Sequence, residues 1–123
     1  MPNYGTPQAG ATLTELKPGD SLVLFDAETP AAPEASIAFA RGTSPSGDDA
    51  GTTFTISFAA AATAVVDVQG SNVDVAAGYE DLTGTGGLTT FPAAYTDTAR
   101  FAFYRVNLRS QSAGGAITAI AQR

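Results

Sequence analysis

The chain has 123 residues, with 12 acidic and 6 basic side chains, a net charge of −6, and neither cysteine nor histidine. That composition excludes disulfides, thiolate chemistry, zinc held by Cys or His, and Ser-His-Asp or Cys-His nucleophiles. The shortage of clustered Lys and Arg argues against nucleic acid as a partner.

The hydrophobic fraction is 44%, much of it alanine, while large side chains are few and 13 Gly and 7 Pro are spread along the chain. This fits one domain with a thin core between two layers, built from many short elements. No apolar run approaches the ~20 residues of a membrane span. The first five residues, MPNYG, lack the basic and apolar regions of a signal peptide. Charged residues make up 15%, against roughly 25% in ordinary soluble domains. A surface rich in Thr, Ser, Gly and Ala suits a protein packed against copies or partners.

Residues 1–20 have no periodicity and are read as an extended N-terminal arm, with a short strand at 12–16. Lys17-Pro18-Gly19-Asp20 places Pro and Gly where a type II turn wants them. The sandwich domain is expected over 21–123. Residues 21–26 (SLVLFD) are an apolar run of strand length, 27–35 a loop held out of helix and central strand by Pro30 and Pro33, and 36–41 (SIAFAR) a strand. The loop 42–51 follows, with Asp48 and Asp49 as weak calcium candidates.

In 52–58, Phe54, Ile56 and Phe58 alternate with Thr53, Thr55 and Ser57, the period of a half-buried strand. Residues 64–69 repeat the pattern with Ala64, Val66 and Val68, and the alanines 59–62 between them read as the tip of a hairpin. Residues 73–82 suggest an edge strand or irregular ribbon. The glycine-rich 83–89 lacks the Lys-Ser/Thr and helix of a phosphate-binding loop. A short strand broken by Pro92 is expected over 89–95. Residues 100–108 (RFAFYRVNL) are the strongest strand by composition, apolar on both faces, so a central strand covered on both sides, one of them by a partner or by the arm. Residues 110–115 read as a hairpin loop and 116–122 as the last strand. The sum is an all-β chain: one antiparallel, jelly-roll-like β-sandwich of about seven or eight strands, with no helix.

The run V-D-V-Q-G-S-N-x-D-x-x-x-x-Y-x-D-L over 66–82, followed by D-T-A-R-F-x-x-Y-R-V-N over 97–107, resembles small β-sandwich proteins of tailed bacteriophages. These are head decoration (cement) proteins and related virion accessory proteins. The resemblance implies a non-enzymatic structural protein, made in the host cytoplasm and placed on the capsid surface. Its implied partners are the major capsid protein and further copies of itself, as trimer or dimer. It implies no cofactor, metal or catalytic residue. Similar spacing occurs in galactose-binding-like and discoidin-like sandwiches, which makes a sugar- or receptor-binding module the alternative. Tyr79, Tyr95 and the Asp48-Asp49 loop are its candidate contacts.

Candidate contact residues are Tyr4, Leu13 and Leu16 on the arm and Phe101, Phe103, Arg105 and Arg109 on the aromatic strand. Arg100, Arg105 and Arg109 could bridge to an acidic neighbouring subunit or pair within the chain with its acidic first half. Carboxylate pairs for glycoside hydrolysis can be drawn as Glu80/Asp81 or Asp67/Asp74. Adjacent strand residues point to opposite faces, so the first pair fails on geometry.

Overall fold

In a computed structural model, the structure describes residues 14–17, 19–41, 51–99 and 101–123. In chain order the elements are β1 (Glu15–Leu16), β2 (Ser21–Glu28), β3 (Glu34–Ala35), β4 (Phe39–Arg41), β5 (Thr52–Phe58), β6 (Thr63–Ser71), a single 3₁₀ turn (Ala76–Gly78), β7 (Glu80–Asp81), β8 (Ala93–Asp97), β9 (Phe103–Ala113) and β10 (Ile117–Gln122). They form two sheets. Sheet I runs β1-β4-β9-β6-β7, with β3 also paired to β9, and sheet II runs β2-β10-β5-β8. Neighbours are antiparallel except β1, which lies parallel to β4. This is the strand order of a jelly roll, a two-sheet β-sandwich. The strands exceed the expected seven or eight because two-residue pieces at β1, β3 and β7 count separately.

Alternation decides which side chains meet between the sheets. Sheet II sends in Phe54 and Ile56 from β5 and Ile117, Ala119 and Ala121 from β10; sheet I sends in Val66 and Val68 from β6 and Tyr104, Val106 and Leu108 from β9, all fully buried. Three rings form the centre: Phe39, Phe54 and Tyr104 lie with centroids 5.6 to 6.1 Å apart. The alanines of β10 leave room for those rings, which is how a chain short of large side chains fills a sandwich.

The pairing of β5 and β6 differs from a hairpin. β5 bonds to β10 and β8 in sheet II, whereas β6 bonds to β9 and β7 in sheet I. The alanines 59–62 therefore form an arch that carries the chain from one sheet to the other. The turn after β9 does the same, and the two arches lie together: Ala59 N–H donates to Ala116 O and Ala60 N–H to Gly114 O. Gly114 has φ 122 and a Cβ there would sit 2.7 Å from that of Ala62, so the close approach requires glycine.

β9 is central, as its composition predicts, and it runs on through Ala113 where a loop is expected from residue 110. Ser110, Gln111 and Ala113 are ladder partners of Val65, Ala64 and Thr63, so cross-strand pairing overrides their polar, loop-like composition. The expected strand 36–41 shrinks to β4, and the loop 27–35 gives its ends to β2 and β3. The turn at 17–20 forms with Gly19 at φ 90 and Asp20 N–H donating to Lys17 O, as a type II turn requires.

Candidate functional site

The two sheets present very different outer faces. On sheet I the outward residues of β6 and β9 are mostly polar, with Val65 and Phe103 as exceptions. Asp67 is 1% exposed and is gripped by Arg109: Nε donates to Oδ2 at 2.9 Å and Nη2 to Oδ1 at 2.6 Å. These hydrogen bonds hold the Arg109 guanidinium further above its ordinary pKa. Arg109 Nη1 also donates to the carbonyl of Thr85 at 2.6 Å, which ties the glycine-rich loop down over the pair. Gly87, at φ 63, comes so close that a Cβ would meet Val65 and Asp67 at 2.7 and 2.8 Å.

Beside this pair, Arg105 Nε donates to Gln69 Oε1 at 2.7 Å, and Gln69 Nε2 donates to Asp81 Oδ1 at 2.7 Å. The Tyr79 ring lies under the Arg105 guanidinium at 4.2 Å from its centroid, a cation–π contact. The Tyr79 hydroxyl donates to Asp74. Burial first and that hydrogen bond second push the Tyr79 phenol well above its ordinary pKa. The cover over Arg105 and Arg109 on the outer side of β9 thus comes from the chain's own residues 79–88.

At one end of the sandwich, Tyr104 donates to Asp97 Oδ2 at 2.6 Å and accepts from the backbone N–H of Phe101 at 3.1 Å. Phe101 packs edge-on against Tyr104, with centroids 6.1 Å apart. Its ring also fills the space that a side chain at Gly70 would need.

Sheet II has a different outer face. One row crosses all four strands: Val23, Ile120, Thr55 and Ala94 in register. The next row includes Gln122, Thr53 and Thr96, with the two threonine hydroxyls 2.8 Å apart. Val23 is 47% exposed. Among the described residues, no charged side chain faces outward from β5, β8 or β10; acid appears at the border, where β2 ends in Asp26 and Glu28. In the sequence only the Thr53/Thr55/Ser57 component of this surface stands out. The missing signal is three charge-free stretches, 50–66, 82–96 and 110–122, which contain all of β5 and β10, most of β8 and the two arches.

The expected contact residues are not gathered at one place. Tyr4 and Leu13, like Arg100 and the Asp48-Asp49 loop, lie outside the described residues. Leu16 is 1% exposed and belongs to this chain's own core. Phe101 packs against that core, whereas Phe103 faces outward beside Ser71. Arg105 and Arg109 are engaged within the chain, but with Gln69 and Asp67 rather than the acidic first half. Asp67 and Asp74 have separate partners, Arg109 and Tyr79, and Asp81 holds Gln69. Tyr95 does not join Tyr79: it packs against the core and donates to Leu82 O. Among the described residues, no three His, Cys, Asp or Glu are grouped to hold a metal ion. Compared with known proteins, the chain matches no family model, no curated protein and no solved structure.

Proposed function

We propose that the chain is a non-enzymatic structural protein of a virion, one that binds the outside of a phage capsid and stabilises it by bridging capsid subunits. The observation that carries this reading is how the N-terminal segment joins the fold. β1 is the end strand of sheet I, paired with β4 for two residues. Leu16 is sunk in the core, and Arg123 Nη1 donates to its carbonyl at 2.6 Å. The segment is anchored there at a sheet edge, with residues 1–13 ahead of it.

Thirteen residues reach at most about 45 Å when extended, far enough to cross a neighbouring subunit. A segment fixed at one end to a firm sandwich can add backbone hydrogen bonds and side-chain contacts to that neighbour. The likeness of residues 66–82 and 97–107 to head decoration proteins supports the same reading. The mechanism is energetic. Surface buried across two subunits at once must be exposed again before they separate. An interface of about 1,600 Å² in total suffices for specific binding, and repeated contacts add avidity.

The test is a chain lacking residues 1–13, which keeps Leu16 and with it the core. It is expected to unfold at the same temperature as the full chain and to stop cosedimenting with capsid shells of its phage. Undiminished cosedimentation sinks the reading.

A further inference from the structure

We propose that the outer face of sheet II docks against the same face of a second copy of this chain. Three observations carry this. The first is charge. The chain has 18 ionisable acids and bases at a net −6, from 12 acidic and 6 basic residues, yet none of those described projects outward from β5, β8 or β10. A different partner of an acidic protein is readily recognised through complementary charge. A face that meets itself across a two-fold axis sets the residues near that axis beside their own copies, so a charge there faces its like. A surface uncharged over three of its four strands, with Asp26 and Glu28 confined to the end of β2, suits self-contact, and interface centres are depleted of charge in general.

The second observation is hydrogen-bonding character. Thr53, Thr55, Thr96 and Ser57 carry hydroxyls, which both donate and accept. Such a face is complementary to its own copy without any change of sequence. Thr53 and Thr96 already show this: their hydroxyls pair at 2.8 Å and either can be the donor.

The third is the apolar content and its continuity. Val23 and Ile120 flank each other in the central row, and Val23 is among the few large apolar residues left exposed. The uncharged surface runs on from the ends of β5 and β10 into the two arches, where Ala59, Ala60 and Ala61 are exposed. The four strands alone present a footprint of roughly 400 Å², taking about 4.8 Å between strands and about 3.3 Å per residue. A standard interface covers about 800 Å² per partner, so the contact needs the arch surface as well and is reversible.

This contact does not depend on the capsid reading, and it is tested without a shell. The full chain is measured by light scattering over a concentration series up to about 1 mM, where even a weak contact is populated. Its mass is expected to rise above that of one chain. Thr55→Glu and Thr55→Lys are each expected to stay monomeric with an unchanged unfolding temperature. Mixed in equal amounts, they are expected to associate again, because opposite charges then meet across the axis. Ile120→Ser, which removes aliphatic area without adding charge, is expected to weaken association about tenfold. A native chain that remains a monomer throughout the series overturns the proposal. So do Thr55 variants that associate singly as the native chain does, or a mixture that stays monomeric.

Discussion

Arg109 reaches from β9 across to β6 and holds both oxygens of Asp67, a carboxylate sealed beneath the loop that Arg109 also ties down. Among the described residues, removing the guanidinium leaves the buried carboxylate with only the long 3.4 Å contact from Thr83, whereas removing the charge from both partners leaves neither stranded. Arg109→Ala is therefore expected to lower the urea midpoint more than the double change Asp67→Asn, Arg109→Gln. Buried pairs are poorly screened, so 0.5 M salt, roughly five times the ionic strength at which the Debye length is about 10 Å, is expected to leave that order unchanged. Equal midpoints for the two variants would count against it.

Gly70 sits inside the sandwich under the Phe101 ring. A Cβ there would lie 2.7 and 2.9 Å from two ring carbons and 3.1 Å from Leu82. Gly70→Ala is expected to cost about 1–3 kcal/mol through overpacking. The double variant Gly70→Ala, Phe101→Leu is expected to recover part of that loss. Chemical denaturation of the two variants checks both statements, and additive losses would separate the two residues.

Tyr104 makes stability depend on pH at the alkaline end. Burial first and the hydrogen bond to Asp97 second raise its phenol above the ordinary 10.0. A raised folded pKa means that this contribution is fully present below about pH 10, where the unfolded phenol titrates, and is lost as pH rises toward the folded value. Tyr79 acts in the same direction. Tyr104→Phe is expected to cost about 1–3 kcal/mol at pH 7, because Asp97 loses a donor. Above pH 10 its stability is expected to fall less steeply than that of the native chain. Urea unfolding at pH 8, 10 and 11 measures the two slopes.

The end of the N-terminal segment can be located by truncation. Deleting residues 1–13 is expected to leave the unfolding free energy within about 0.5 kcal/mol of native. Deleting 1–16 removes Leu16 from the core and is expected to cost about 2–5 kcal/mol, the range for emptying a leucine site. A comparison of the two unfolding curves decides whether β1 belongs to the sandwich or to the arm.

Phe101, just ahead of β9, and Phe103, its first residue, separate core from surface. Phe101→Asp is expected to unfold the chain, since the ring packs on Tyr104 over Gly70. Phe103→Asp is expected to keep the fold, because that side chain looks outward. Circular dichroism of the pair is sufficient to read the difference.

Much of this architecture is legible in residue patterns. The alternation of Phe54 and Ile56 with Thr53, Thr55 and Ser57 identifies the inner and outer faces of β5, and Tyr104, Val106 and Leu108 do the same for β9. What alternation does not reveal is the neighbour. A two-residue period reports which face is buried but not which strand supplies the hydrogen bonds, so an arch at 59–62 reads like a hairpin. The partners of the arginines are hidden for a related reason. Asp67 lies between valines, 42 residues from Arg109, and only the β6–β9 register brings the two side by side. The outer face of sheet II, uncharged over β5, β8 and β10, is spread over segments far apart in sequence and becomes one surface only when β10 lies between β2 and β5.

The paired arches have a mechanical meaning. β10 runs beside β5 in one sheet and β9 beside β6 in the other, and the arch backbones are bonded to each other where they cross. The centre of the molecule is thus one two-stranded ribbon folded in half. The sheets cannot be peeled apart as independent plates at that end, because both strands of the ribbon pass through the fold. A force prising the layers open must first tear bonds along the ribbon, several at once. A block built this way carries load through its backbone and not only through the grease between its layers.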